Sequence, residues 1–289
     1  MELKGSIVAL ITPFDEEGEV DYSALEALLR WHIEEGTEGL LLCGSTGEGA
    51  ALTKEEKCEI FRLAVHVVGG KVPLIGATGT NVTRESVALT RKAKEIGLDA
   101  VIAIVPYYSK PTVEGCIRHF EAIAEIGLPT ILYHHPGRTG TKLSIDAITR
   151  IGQIPGIIGI KDASGDLAFA QEIIEQGELL FFSGDDSLCL AHMAVGAIGS
   201  ISVIGNVIPK EWGEFVDEAI SGDFHQAREK YYSLYNLAKT LVLETNPQCV
   251  KYAVHLLGKC RVTMRLPLLE PMEETKQIIA SSISLQTLV

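Results

Sequence analysis

No two of the six cysteines (Cys43, Cys58, Cys116, Cys189, Cys249, Cys260) stand at C-x-x-C spacing. Their scatter predicts reduced, buried thiols acting as small hydrophobes, not a disulfide framework or a zinc site. Positive charge is also short. The chain has 25 Lys and Arg against 38 Asp and Glu, a net charge of −13. Such a balance argues against nucleic acid or an anionic membrane surface as the main partner, although one local arginine can still hold a small anion. Long apolar runs are missing. The longest apolar region, 191–208, is broken by Gly196, Gly199, Ser200, Ser202 and Gly205 and contains His192. That punctuation fits a helix, a turn and a strand better than a membrane span. Met1 to Gly5 runs directly into a strand-like segment without signal-peptide architecture, so a soluble, cytoplasmic protein is expected. The turn after the first strand is Thr12-Pro13-Phe14-Asp15, where a nucleotide-binding open sheet would carry clustered glycines.

What is present is a rhythm. Short apolar, β-branched runs recur at 6–11, 39–43, 72–76, 100–105, 130–133, 157–160, 179–183 and 199–203, with one helical pattern in each gap. Runs apolar on both faces belong to buried parallel sheets. Eight such units predict a (β/α)8 TIM barrel, with an open doubly wound sheet as the rival. Helix starts are expected near Asp21, at the capping box Thr53-Lys54-Glu55-Glu56, at Thr83 and at Ser144. Beyond residue 223 the rhythm ends. Helical stretches at 224–244, 247–257 and 272–282 follow one another, so the chain divides into a barrel domain, 1–223, and a C-terminal helical extension, 224–289.

The run Ile157-Ile158-Gly159-Ile160 leads straight into Lys161-Asp162. Lysine is almost never fully buried without a partner or a purpose. Either the strand simply ends there and the ammonium reaches water, or the amine is held dry for chemistry. Barrel enzymes work at the C-terminal ends of their strands. Those ends carry Thr12-Pro13, Gly44-Ser45-Thr46-Gly47-Glu48, Pro106-Tyr107-Tyr108, Tyr133-His134-His135-Pro136-Gly137-Arg138, Lys161-Asp162 and Ser183-Gly184-Asp185-Asp186. A desolvated lysine loses proton affinity, and its neutral amine attacks a ketone to give a Schiff base, an electron sink that needs no metal. Tyr133, one strand away, is a candidate proton shuttle. Gly44-Ser45-Thr46-Gly47 reads either as an anion-binding turn or as an ordinary loop; it lacks the ending of a P-loop. Asp185 and Asp186 would repel a phosphate, so an unphosphorylated substrate is expected. His134 and His135 are adjacent loop residues with no second cluster at ligand spacing, so no metal is expected.

In order and spacing, Gly44-Ser45-Thr46-Gly47-Glu48, Pro106-Tyr107-Tyr108, Tyr133…Pro136-Gly137-Arg138-Thr139-Gly140 and Ile160-Lys161-Asp162-Ala163-Ser164-Gly165 resemble the dihydrodipicolinate synthases. Those belong to the pyruvate-dependent class I lyases related to N-acetylneuraminate lyase. The resemblance covers nearly the whole chain. It implies that Lys161 forms a Schiff base with pyruvate, with no other cofactor. It implies a proton relay of Tyr133, Ser45 and Tyr108, the last reaching into a neighbouring subunit's site. Thr46 would bind the pyruvate carboxylate, Gly184 and Ile201 would line the pocket, and Arg138 would hold the carboxylate of L-aspartate 4-semialdehyde. The implied product is 4-hydroxytetrahydrodipicolinate, on the route to diaminopimelate and lysine, and the implied assembly a homotetramer.

The pattern departs from the family in three places. Ser45 replaces the usual threonine, keeping the hydroxyl but losing the methyl that restricts its rotamer. His134-His135 replaces Asn-Val. A lysine-feedback site would map onto Gly49, Ala50, Lys54, Lys57, Asn81, Glu85 and Tyr107, and there Lys54 and Lys57 stand where sensitive members often carry histidines. Two extra cations disfavour a cationic effector. The alternatives are another pyruvate-dependent aldolase of the superfamily, acting on a sugar acid or a hydroxy-oxoglutarate, and a non-catalytic, ligand-sensing barrel.

Overall fold

The computed structural model describes residues 3–286. Among them eight parallel strands close a barrel in sequence order: β1 (Gly5–Ala9), β2 (Gly39–Leu42), β3 (Leu74–Ala77), β4 (Ala100–Ile104), β5 (Thr130–His134), β6 (Ile157–Asp162), β7 (Leu180–Ser183) and β8 (Gly199–Ser202), with β8 pairing back onto β1. The barrel expected from the sequence is therefore the observed fold. Helices α1 (Tyr22–Glu34), α2 (Lys54–Val68), α3 (Thr83–Ile96), α4 (Val113–Ala124), α5 (Pro136–Thr139), α6 (Ile145–Gly152), α7 (Leu167–Gln176), α8 (Cys189–Ala194) and α9 (Pro209–Ser221) lie between or after the strands.

Local chemistry sets the helix starts. Asp21 accepts the Ala24 N–H, Thr53 and Glu56 exchange bonds as a capping box, and Ser144 accepts from Ala147. The expectation at Thr83 needs correcting. Val82 is the cap residue, with no side-chain bond, and the Thr83 hydroxyl instead meets His119 Nδ1 at 2.9 Å. That tertiary partner outcompetes the local backbone.

The C-terminal helices are α10 (Phe224–Thr240), α11 (Gln248–Leu256) and α12 (Glu273–Gln286). The first ends four residues before the expected 244, and the last runs past the expected 282. Ala227, Tyr231, Leu234 and Leu237 of α10 join Trp212, Phe215 and Phe169 in one apolar cluster, so these helices share a core with the barrel's outer layer. Five of the cysteines are buried, Cys260 is half-buried, and all are free thiols.

A one-residue shift of register in β6 decides the site. Thr130 pairs with Ile157, but Ile131 pairs with Gly159, leaving Ile158 unpaired. Ile158 packs against the barrel interior, and Ile160 against the outer helices. Strict alternation from Ile158 would send Ile160 inward and Lys161 outward. The extra residue reverses the phase, so Lys161 faces the cavity and Asp162 the helix layer.

Candidate active site

The C-terminal ends of the strands enclose a cavity of about 640 Å3 lined by Ser45, Thr46, Tyr107, Tyr133, His135, Arg138, Lys161, Gly184, Asp186 and Asn246, among others. A larger, mostly apolar groove of about 1010 Å3 lies at the other end of the barrel, where Leu3, Pro73, Pro129 and Ile198 precede or flank strand starts. The reactive groups are in the first.

Lys161 is 5% exposed, and its amine makes no ion pair or hydrogen bond with any described residue. Burial pulls its amine down to about 8, against the pull of Asp186 and with help from Arg138. Its Nζ lies 4.8 Å from the Tyr133 ring centre, and the two residues are direct partners across β5 and β6. Burial also pushes the Tyr133 phenol up to about 12, eased by the Arg138 cation and the Ser45 hydroxyl. A phenol held protonated beside an amine that gives up its proton more readily than an ordinary lysine is suited to pass protons.

Gly184 gives Lys161 its room. A Cβ there would lie 2.7 Å from the Asp162 carbonyl oxygen and 2.9 Å from Lys161 Cε. Asp186 is not the free anion the sequence suggested. Its carboxylate accepts the N–H groups of Val203 and Ile204 at 2.9 and 2.8 Å, and burial raises it to about 6.

The 44–49 turn is tight. Cys43 and Glu48 both take positive φ (56° and 51°), and a Cβ at Gly49 would fall 1.9 Å from the Cys43 carbonyl oxygen. Thr46 is buried, and its hydroxyl accepts from Asn246 Nδ2 at 3.0 Å. Arg138 donates to the Asn246 carbonyl oxygen at 3.0 Å. Asn246, between α10 and α11, thus joins the β2 turn to the β5 arginine. Sequence reasoning missed it, because nothing local marks a residue whose partners lie 200 and 108 positions away.

The remaining expected residues divide. Ile201 is fully buried in the barrel interior, away from the cavity wall, where Val203 stands instead. Tyr108 is 89% exposed, has φ +69° and does not line its own chain's cavity. Gly49, Ala50, Lys57 and Tyr107 border the cavity, while Lys54, Asn81 and Glu85 do not. Burial lowers the Lys57 amine, opposed by Cys43 and Glu85.

The histidine pair is not two loop residues. His134 ends β5, fully buried, with Nδ1 2.7 Å from the Asp162 carboxylate. His135 turns to the cavity, its ring edge-on to Tyr133, and burial with Arg138 and Lys161 lowers it to about 4. Among the described residues no group of three or more potential ligands gathers to hold a metal.

A barrel whose strand-end cavity holds a buried lysine with no counter-ion, beside a protonated tyrosine, defines a lyase of the class I aldolase type. The chain belongs to the Dihydrodipicolinate synthetase family, whose profile matches residues 2–286. A relative from Leptothrix cholodnii, a 4-hydroxy-tetrahydrodipicolinate synthase, is 45% identical over 267 residues, covering 91% of each chain. The crystal structure of dihydrodipicolinate synthase from Aquifex aeolicus superposes with a TM-score of 0.97 at 42% identity, covering 99% of each chain. The chloride-inhibited dihydrodipicolinate synthase from Acinetobacter baumannii, complexed with pyruvate, also gives 0.97, at 40% identity over the whole of both chains.

Proposed function

We propose that this chain is a 4-hydroxy-tetrahydrodipicolinate synthase, condensing pyruvate with L-aspartate 4-semialdehyde on the route to diaminopimelate and lysine. The observation that carries the reading is Lys161, buried, without a carboxylate partner and beside Tyr133 in the strand-end cavity. Its neutral amine attacks the pyruvate ketone carbon, and loss of water leaves an iminium. Removal of a proton from the adjacent methyl gives an enamine, which attacks the aldehyde carbon of the second substrate. The new alkoxide takes a proton, and attack by the product's own amine on the imine carbon closes the ring and frees Lys161.

Tyr133 and Ser45 carry the protons, joined by Tyr108 of a second copy, since Tyr108 stands exposed on its own chain. Thr46 holds the pyruvate carboxylate, Gly184 leaves space for the adduct, Ile201 supports the cavity floor, and Arg138 takes the semialdehyde carboxylate. Residues 1–223 form the catalytic domain and 224–289 the helical domain that brings Asn246 to it. A homotetramer built as a dimer of dimers suits the Tyr108 exchange. No helix of the described residues is long and apolar enough to cross a membrane; the location we propose is the cytoplasm, a reading the free thiols support.

Treatment with pyruvate and borohydride, followed by intact mass, tests the first step. An adduct on Lys161 is expected, and its absence removes the proposal. A coupled assay with both substrates tests the second; turnover of a sugar acid but not of the semialdehyde would favour the other aldolases. Lysine inhibition should be weak, because Lys57 places a cation at the cavity's border; strong inhibition at low lysine concentration would contradict this.

A further inference from the structure

Resting on that reading of Lys161 and Tyr133, we infer that His134 and Asp162 form a positioning pair that holds the two reacting side chains together from the opposite face of the strands. Tyr133 pairs with Lys161, and His134 with Asp162, on consecutive rungs of the β5–β6 ladder. The second rung is the last. Beyond it the chain leaves β5 for α5 and leaves β6 for the turn at Ser164-Gly165. Tyr133 and Lys161 therefore stand one residue from the end of the ladder, where strand pairs fray.

The side chains on that last rung close it. His134 Nδ1 meets Asp162 Oδ1 at 2.7 Å, both residues being 0% exposed. The Leu143 N–H donates to His134 Nε2 at 3.3 Å. That nitrogen is thus the acceptor, so the ring's proton sits on Nδ1 and is donated to the carboxylate. Phe169 lies against the ring, with centroids 5.1 Å apart. Asp162 extends the tie in two further directions. Its other oxygen accepts the Ser164 hydroxyl at 2.7 Å, and its carbonyl accepts the Gly184 N–H at 2.7 Å. One buried carboxylate with its main chain thus joins the catalytic ends of β5, β6 and β7. Because side chains alternate, a slip of this outer pair is transmitted as a slip of Tyr133 against Lys161. A displacement of about 1 Å at reacting groups can cost about 10²-fold in rate.

Two variants separate positioning from bulk. His134→Leu fills the space without a donor. His134→Asn keeps a donor near Nδ1 and loses the Leu143 bond. Each is compared with the wild-type chain for melting temperature, rate of borohydride-trapped pyruvate adduct, kcat, and KM for both substrates. Assayed well below melting, His134→Leu should lower both kcat and the adduct rate by about 10–100-fold, with KM for the semialdehyde within about twofold. His134→Asn should regain kcat to within about fivefold even if it melts earlier. A His134→Leu enzyme that only melts earlier, with kcat unchanged, overturns the inference, as does a His134→Asn enzyme slowed tenfold or more. The second result suffices should His134→Leu fail to fold. A wild-type chain that forms no adduct strikes the proposed function instead.

Discussion

Among the described residues two lysines are buried, and they are put to opposite uses. Lys161, at the end of β6, faces a cavity without a carboxylate in contact. Lys251, on α11, is 0% exposed, with Nζ 2.6 Å from Glu48 and 4.0 Å from the centre of the Phe14 ring. Glu48 gives its second oxygen to the Arg265 N–H at 3.0 Å. Burial lowers both amines, but at Lys251 Glu48 opposes the shift through charge and hydrogen bond, whereas at Lys161 the opposing Asp186 is committed to two backbone N–H groups. The difference teaches that burial alone does not make a nucleophile. Burial with a partner gives a structural ion pair that fastens the C-terminal helices to the β2 turn, and burial without one gives a free amine.

The comparison can be broken at several points. The largest effect is expected at the nucleophile: Lys161→Ala should lose at least about 10³-fold in kcat and form no borohydride-trapped adduct, read by intact mass. Tyr133→Phe comes next, keeping the ring beneath the amine but removing the proton, with a loss of about 10²–10⁴-fold in kcat in a steady-state assay. Lys251→Met should leave Lys161 able to form the adduct in folded protein, but strand Glu48 as a buried charge. A cost of about 3–5 kcal/mol in denaturant unfolding is expected, with much of it recovered in Glu48→Gln/Lys251→Met.

The smallest effect carries the opposite sign. Lys161→Met removes a buried amine with no counter-ion, so melting should move upward, by about 2–4 °C per kcal/mol gained. The pH dependence follows. The folded Lys161 has a pKa lowered to about 8, so between there and the ordinary lysine value the unfolded chain binds more protons. Wild-type stability should rise with pH through that window, and the rise should be reduced in Lys161→Met. A melting temperature that falls in Lys161→Met would erase the distinction between the two lysines.

Much of the barrel is legible in sequence because parallel strands buried on both faces show as apolar runs, and their ends show as breaks in those runs. Lys161, Tyr133, Thr46 and Arg138 could be picked out because each closes such a run or stands within a few residues after it, in motifs that resemble a known family. Asn246, the Glu48–Lys251 pair and the His134–Asp162 pair could not. Their partners are 28 to 203 residues apart, and no periodicity reports such distances. Thr83 was misread for a related reason, since a hydroxyl suited to cap its own helix found His119 on the next one.

The amino-acid sequence by itself determined the eight-strand rhythm, the helical C-terminus and a lysine at the end of the sixth strand, because these follow from local hydrophobic pattern. Which way that lysine points was decided only in three dimensions. The pairing of β5 with β6 leaves Ile158 without a partner, and that one extra residue turns Lys161 from the helix layer into the cavity. Strand register is a property of two segments pressed together, and neither segment carries it alone.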